Sequence, residues 1–270
     1  MSGMPTLFVP HGGGPCFFMD WDPPDLWDRM AAYLRSIPAE VGSRPLAIIL
    51  ISGHWEEDVV TIQNNPSPAL LFDYYGFPEH TYQIKYPALG SSELADRISI
   101  LLGRADIPSR FDTERGFDHG VFIPLKIAFP EADIPIVQVS LRADLDPTAH
   151  IKLGKALQPL RDEGVLIIGS GMSYHNMQTM MKNMHGSHNA IPESEQFDEW
   201  LTEILTVAPP DGRELSLSMW DKAPAARLAH PREEHLLPLH VVVGAAGLDK
   251  GRRTLRDTVL GSAQSAFQFG

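Results

Sequence analysis

The sequence predicts an α/β fold with three layers, α/β/α, in which helices cover both faces of a mostly parallel or mixed central sheet. Short apolar runs alternate with segments of helical periodicity from end to end of the 270 residues, which is the pattern of such domains. The run PLAIILI at 45–51 is short and rich in Ile and Leu, as buried parallel strands are. The sequence contains no evident repeat, low-complexity tract or linker, so we expect a single domain over residues 1–270.

Each element is predicted from its local pattern. Strands are expected where apolar residues run together between turn residues, at 4–10, 45–52, 58–63, 134–141 and 165–168. Helices are expected where apolar residues recur at helical spacing, at 25–36, 92–102, 121–129, 147–161, 196–205 and 223–229. Ser91 or Ser92 is the expected N-cap of the second helix.

The last third of the chain has a less regular pattern. Residues 177–195 are polar and are expected to form a flexible segment. Pro231 suits the first position of a helix that follows His230, and Pro238 is expected to kink or interrupt that helix. The tail 255–269 is expected to add an edge strand.

Composition argues against several classes of function. The formal net charge of −12 at pH 7 argues against a nucleic-acid partner, because phosphate binding needs a basic surface. No apolar run approaches the ~20 residues that span a bilayer, and the N-terminus lacks the basic flank and apolar core of a signal peptide. The one cysteine, Cys16, rules out an internal disulfide. We therefore expect a cytoplasmic protein with no membrane partner.

Three of the predicted strands run into a small-residue turn that carries a histidine. His11 follows the first strand, His54 follows the second, and His175 follows the strand at 165–168. Each histidine alone is more often a hydrogen-bonded structural residue. Together they favour a site, because the carboxyl ends of parallel strands meet at one edge of the sheet. Neutral imidazole is the commonest protein ligand for Zn, Fe, Cu and Ni, so we predict a metal site at that edge.

Other motifs carry weaker signals. The glycines at 12–14 lack the spacing of a phosphate-binding loop. The Gly-Ser-Gly at 169–171 is not the Gly-x-Ser-x-Gly turn of a serine hydrolase. Cys16 precedes two phenylalanines, which favours a packed residue over a nucleophile.

The segment 64–90 is rich in proline, glycine and aromatic residues. Its central aromatics are Phe72, Tyr74, Tyr75, Phe77, Tyr82 and Tyr86. The local pattern fits equally a surface loop held by aromatic anchors and one wall of a substrate pocket, since long ordered loops are often functional.

A set of motifs then matches one known family in order over nearly the whole chain. They are VPHGG at 9–13, ISGHW at 51–55, GFP at 76–78, YPA at 86–88, GFDHG at 116–120, PEADIP at 130–135, GSG at 169–171, HN at 175–176, HP at 230–231, EH at 234–235 and PL at 238–239. Through them the chain resembles the class III extradiol ring-cleavage dioxygenases, the protocatechuate 4,5-dioxygenase catalytic-subunit superfamily. Within it, the chain is most similar to the 4,5-DOPA extradiol dioxygenase branch.

The resemblance implies a non-haem Fe(II) centre with His11, His54 and His235 as metal ligands. Glu234, beside the third of these histidines, is the alternative ligand. Three imidazoles leave coordination positions free for other reactants. Zinc is expected to be able to replace iron in a purified or crystallised sample, because it binds such sites more tightly.

The resemblance also implies roles for the remaining site residues. His175 matches the acid/base histidine, a role that suits a side chain whose pKa is about 6.5, and His119 matches a second pocket histidine that hydrogen-bonds the substrate or oxygen-derived atoms. The implied substrates are a catechol-type aromatic and O2, and the product is a muconic semialdehyde. Tyr74, Phe77 and Tyr174 are expected to contact the ring.

Two other functions stay open at this point: a zinc-dependent metallohydrolase with His175 as base, and a metal-binding relative without activity. The remaining histidines are expected to be structural. We predict His80, His150, His185 and His188 on the surface or in loops, and His230 and His240 in support of the site. The sequence leaves the oligomeric state open, a homo-oligomer included.

Overall fold

A computed structural model describes residues 3–184 and 189–270. The strands are β1 (Thr6–Pro10), β2 (Ala47–Glu57), β3 (Val60–Gln63), β4 (Ser109–Asp112), β5 (Ile136–Arg142), β6 (Val165–Gly171), β7 (Gly251–Val259) and β8 (Ser262–Phe269). The α-helices are α1 (Asp28–Val41), α2 (Ser92–Arg104), α3 (His119–Ala128), α4 (Pro147–Leu157), α5 (Met177–Met184), α6 (Pro192–Thr206), α7 (Pro210–Ser218), α8 (Ala226–Ala229) and α9 (Leu237–Ala246). Short 3-10 helices lie at Cys16–Phe18, Glu79–Gln83, Gln158–Arg161 and Trp220–Lys222.

Within the described residues, eight strands form one mixed sheet in the order β4-β3-β5-β2-β6-β1-β8-β7. The four central strands β5, β2, β6 and β1 are parallel. Antiparallel pairs join β3 to β5, β8 to β1 and β7 to β8. The carboxyl ends of the four central strands therefore share one edge of the sheet, as the sequence predicted.

Alternate side chains of β2 separate the two hydrophobic layers. Ile48 and Leu50 pack in a cluster that contains the buried residues of α1 and α3. Ile49 and Ile51 pack in a second cluster with the buried apolar residues of α2 and with Leu153 and Leu157 of α4. Because successive strand side chains point to opposite faces, helices cover both faces, and the predicted three-layer α/β fold is confirmed.

Strand β2 is longer than the sequence analysis predicted. The strand was expected to end at Ser52, but it continues to Glu57, and its register with β5 shifts between Ile51 and Glu56. His54 thus lies in a bulged part of the strand rather than beyond its end. Bulges redirect side chains and are frequent next to active sites.

The C-terminal region differs more from expectation. No helix begins at Pro231, and the chain is irregular from His230 to Leu236. Pro238 lies in the first turn of α9, where its missing N–H costs no helical hydrogen bond. The tail forms a hairpin of two strands, with β8 inside the sheet beside β1 and β7 at its edge.

Three elements escaped the sequence analysis. Strand β4 is short and half-exposed, so its apolar pattern is weak. Helix α7 opens with prolines and carries mostly polar residues. Helix α5 lies in the segment expected to be flexible, and half of its residues are polar. The Ser91 N-cap was anticipated: its hydroxyl accepts a hydrogen bond from the backbone N–H of Leu94.

The histidines away from the strand edge also differ from one another. His80 is exposed, as expected. His150 was expected at the surface, but it is buried, because its ring joins the backbone N–H of Arg142 to the carbonyl of Asp146. His185 and His188 lie outside the described residues. None of the described helices has both the length and the apolar character needed to cross a bilayer.

Candidate metal centre

His11 is held at the end of β1 by hydrogen bonds on both its backbone and its ring. Its backbone N–H donates to the carbonyl of Gly171 (3.2 Å), and its Nδ1 lies 3.1 Å from the hydroxyl of Ser170. The Ser170 hydroxyl donates its own proton to the carbonyl of Gly120. It therefore accepts from His11, which puts the imidazole proton on Nδ1 and leaves the lone pair on Nε2.

His54 is fixed by a chain of polar contacts that begins at a buried carboxylate. Its backbone N–H donates to the hydroxyl of Ser52 (3.1 Å), which donates to Asp118 (2.8 Å). The His54 Nδ1 atom faces the carboxylate of Asp73 at 3.7 Å. A carboxylate on that side favours a proton on Nδ1, so Nε2 again carries the lone pair.

His235 reaches the strand edge from the turn before α9. The turn passes close to the strands: a Cβ at Gly171 would lie 2.1 Å from the His235 carbonyl oxygen, which only glycine avoids, and one at Gly53 would make a tight contact of 3.1 Å with that of Glu234. The His235 Nδ1 donates to the carboxylate of Glu234 (2.9 Å). The small residues at these strand ends therefore make room for the third histidine.

The three imidazoles point their Nε2 atoms at one another. The His54 Nε2 lies 3.1 Å from that of His11 and 3.2 Å from that of His235. Nitrogens about 2.1 Å from one metal ion and roughly 90–100° apart would have separations of about 3.0–3.2 Å. A divalent metal ion accepts three such lone pairs at once, so this donor set fits a metal site with positions left open on one side.

Burial keeps these imidazoles neutral. It lowers the pKa of His11 and of His235 well below the ordinary value, and the neighbouring imidazoles lower both further. The pKa of His54 falls to about 4, again mainly through burial. Neutral imidazole is the form that binds metal, so protons compete little for these nitrogens near neutral pH.

Two more histidines flank the three, and each shares a carboxylate with one of them. His119 donates to Asp73 from its ring Nδ1 (2.7 Å) and its backbone N–H (3.0 Å). His175 places its Nδ1 3.3 Å from Glu234. The His119 ring lies 4.0 Å from that of His54, and the His175 ring stacks on that of His235 at 3.5 Å. Each carboxylate thus orients one inner and one flanking imidazole.

Comparison with known proteins decides the family. Residues 5–267 match the family described as the catalytic LigB subunit of aromatic ring-opening dioxygenase. The chain belongs to this family. Because the match spans almost the whole sequence, the resemblance to extradiol dioxygenases is confirmed, and the chain is assigned to a family of dioxygenases.

Individual relatives agree with the LigB family. The chain is 42% identical to a 4,5-DOPA dioxygenase extradiol of Beta vulgaris, over 90% of this chain and 87% of the relative. It is 34% identical to a 4,5-DOPA dioxygenase extradiol of Escherichia coli (strain K12), over 90% and 85% of the two chains. A crystal structure of an uncharacterized protein from Escherichia coli K12 superposes with a TM-score of 0.80 at 31% identity, covering 99% of this chain and 100% of that one.

In this LigB-family chain, a cavity of about 270 Å³ opens beside the three inner and two flanking histidines. Tyr74 and Phe77 of the aromatic segment line it, and the Tyr74 ring meets that of His119 edge-on at 5.8 Å. The Tyr74 hydroxyl donates to the carbonyl of Thr81 (2.8 Å). Other aromatics of the segment hold it in place, since Phe72 packs on Phe122 of α3. The segment is therefore both an anchored loop and a cavity wall.

Tyr174 does not take the position expected of it. It is absent from the described residues that line the cavity, and only 2% of it is exposed. Its ring packs in the hydrophobic cluster, and its carbonyl accepts a hydrogen bond from Gln264 of β8. The chain turns between Tyr174 and His175, so the neighbouring histidine faces the cavity while the tyrosine faces the core.

Asp73 and Glu234 are two carboxylates whose roles in orienting the histidines the sequence analysis missed. Burial is the largest single influence on Asp73 and raises its pKa, but the hydrogen bonds from His119 and the nearby imidazoles of His119 and His54 together bring the net pKa below its usual value. Burial likewise is the largest influence on Glu234 and raises its pKa, while the hydrogen bonds from His175 and a backbone N–H, together with the nearby His175 and Arg232, bring it below its usual value. Both side chains are therefore carboxylates at neutral pH. Glu234 had been considered only as an alternative ligand, yet it contacts His235 at Nδ1, the nitrogen away from the other histidines.

Proposed function

We propose that the chain is a non-haem Fe(II)-dependent extradiol dioxygenase that opens the ring of a catechol-type aromatic with O2 and releases a muconic semialdehyde. The observation that carries the proposal is the convergence of three Nε2 lone pairs, from His11, His54 and His235, on the wall of a cavity that two further histidines enter. Membership of the ring-opening dioxygenase family supports this chemistry.

The metal ligands in this proposal are the same three histidines. Fe(II) held there would bring the catechol and O2 together and carry electrons between them. The side chains of Ser170, Asp73 and Glu234 hold the ligand rings through their Nδ1 atoms. Such outer contacts fix the ring orientation and typically affect metal affinity 10- to 100-fold.

His175 acts as the acid/base group. Its Nδ1 faces the Glu234 carboxylate, so the proton sits on Nδ1 and Nε2 is the basic atom. A catechol hydroxyl is too weak an acid to ionise fully at neutral pH, and the His175 Nε2 takes its proton as the substrate binds. The same nitrogen later returns that proton, which suits the acid–base range of histidine.

His119 orients the substrate. Asp73 holds its Nδ1–H and its backbone N–H, which leaves Nε2 to interact with an oxygen in the cavity. The cavity volume, about 270 Å³, is close to the lower limit of small-ligand sites, roughly 300 Å³. This size suits a single aromatic ring beside the metal, with Tyr74 and Phe77 excluding water around it.

Anaerobic loading with Fe(II), followed by a panel of catechols in aerated buffer, tests the proposal. We expect O2 consumption in a one-to-one ratio with substrate and a new visible absorbance from the ring-opened product. Zn(II)-loaded protein is the matched control and should consume no O2. Hydrolysis by the zinc form, with no O2 uptake by the iron form, would favour the metallohydrolase instead.

A further inference from the structure

Methionines form a large part of the cavity wall. Helix α5 carries Met177, Met180, Met181 and Met184 at helical spacing, and Met172 follows the end of β6; all five line the cavity. Met172 and Met180 are 2% and 4% exposed, whereas Met177 and Met181 are 44% and 40% exposed. We call these five residues the methionine wall. It runs from the interior beside the histidines to the surface.

The exposed part of this wall is apolar surface that a ligand could cover. Removing apolar surface from water contributes about 25 cal/mol per Å² to the free energy of binding. Met177 and Met181 stand at the mouth of a cavity whose inner end holds the histidines. A substrate whose ring lies at the histidines and whose substituent points outward would cover both side chains. The rim is therefore placed to contact a substituent rather than the reacting ring.

The cavity offers little to a charged substituent. Among the described residues that line it, none is Lys, Arg, Asp or Glu. The nearby carboxylates of Asp73 and Glu234 each accept from an imidazole through one oxygen, and the second oxygen of Glu234 is buried away from solvent. The guanidinium of Arg115 donates to Asp118 and to the His54 carbonyl. An ammonium or carboxylate group on the substrate would lose water without gaining a charged partner from these residues, which is unfavourable.

We propose that this site takes catechols that carry an uncharged, apolar substituent, and that the methionine wall binds that substituent. The inference rests on the proposed ring-opening function and specifies its substrate class. Methionine is flexible and polarisable and adapts to ligands of different shape. The wall should therefore accept a range of chain lengths rather than one fixed group.

A series of catechols substituted at position 4 tests the inference on the Fe(II)-loaded protein. The series is 4-methyl-, 4-propyl- and 4-hexylcatechol, with 3,4-dihydroxyphenylalanine as the zwitterionic comparison. We expect kcat/KM to rise up to about fourfold for each methylene that the wall buries, and to be at least about tenfold lower for the amino acid than for 4-propylcatechol. Anaerobic calorimetry on the Zn(II)-loaded protein should give the same order of affinities without turnover.

Variants of the exposed methionines test whether these side chains cause the dependence of kcat/KM on chain length. In Met177→Gln/Met181→Gln we expect the ratio of kcat/KM between the hexyl and methyl compounds to fall at least about threefold. Met219→Gln is the matched control, because Met219 is 48% exposed but does not line the cavity; it should leave the ratio unchanged.

The outcomes separate the two proposals. Ring opening with equal or better kcat/KM for the amino acid, or with no dependence on chain length, would overturn the substrate assignment and leave the dioxygenase proposal standing. An unchanged ratio in the double variant would also overturn the role of the wall. Failure of the iron form to open any catechol of the series would reject the proposed function and this inference together.

Discussion

The imidazole of His175 stacks on that of His235, with ring centroids 3.5 Å apart and planes inclined by 15°. Glu234 contacts both rings at Nδ1, at 3.3 and 2.9 Å. One carboxylate thus sets the proton position of a proposed metal ligand and of the proposed acid/base group. On the other side of the site, Asp73 accepts a hydrogen bond from His119 (2.7 Å) and faces the Nδ1 atom of His54 at 3.7 Å. The centre is therefore two imidazole pairs that meet at His54 and His235, with His11 beside both of these rings.

Replacing Glu234 with Gln should weaken both functions of its pair. The amide cannot act as a charged acceptor for two imidazoles, so we expect metal affinity to fall about 10- to 100-fold and the pH profile of kcat to shift with the acid/base histidine. Metal titration and the pH profile at saturating metal measure the two effects separately. Glu233→Gln is the matched control, since Glu233 pairs with Arg227 at the surface. An unshifted pH profile in Glu234→Gln would argue for a purely structural carboxylate.

His175→Ala should keep the metal and lose most of the turnover. The three inner imidazoles remain, whereas acid–base groups typically contribute roughly 100- to 10,000-fold to rate. Metal content per chain and kcat on the same catechol check this pair of expectations. Complete loss of metal from the variant would instead make His175 a ligand.

Substitutions in the aromatic segment should change substrate preference more than metal content. Phe77→Ala enlarges the cavity next to the glycine turn, where a Cβ at Gly14 would lie 3.0 Å from the Phe77 ring. We expect relative kcat/KM values for bulky and small catechols to change at least about fivefold, with metal content unchanged. Tyr75→Ala is the control, because that ring is 90% exposed. Equal effects of both variants would indicate that the segment acts only through its stability.

Acid should destabilise the protein through its buried histidines, and His240 gives the clearest case. Burial lowers the pKa of His240 to about 4 from an ordinary 6.5, although the carbonyls of Leu217 and Leu236 face its two ring nitrogens and by themselves favour the protonated ring. The unfolded chain therefore binds more protons between those pH values. The contribution of His240 to the free energy of unfolding should fall below about pH 6.5 and level off below about pH 4, amounting to a loss of about 2 kcal/mol at pH 5.

Urea unfolding of metal-free protein from pH 7 to 5 measures this dependence. His240→Gln should show a smaller loss of stability over that interval than the parent chain. His80→Gln, which removes an exposed histidine, is the matched control. A loss in His240→Gln equal to that of the parent would contradict the assignment.

Most of the strands and helices, and about half of the site residues, could be predicted from local patterns in the sequence. His11 and His54 were found because strand ends and small residues mark the edge of a parallel sheet. His235 came only from the family resemblance, since its turn reaches the site through close contacts with Gly53 and Gly171 that no local pattern encodes.

The missed residues depend on contacts between distant segments. Asp73 lies in an irregular loop and meets His119 across 46 residues of sequence. His150 is buried by its contact with the end of β5, which its own helix does not reveal. Tyr174 was expected at the cavity because it precedes His175. The path of the backbone between β6 and α5 decides which of these two adjacent side chains faces the cavity, and a local pattern does not show that path.

The central claim is that His11, His54 and His235 together hold the iron. An anomalous difference map at the iron absorption edge, from crystals grown and loaded anaerobically with Fe(II), tests it most directly. The account predicts one strong peak about 2.0–2.3 Å from all three Nε2 atoms, a range close to that of metal–imidazole bonds. A peak bound elsewhere, or one with the His235 Nε2 more than about 5 Å away, would contradict it.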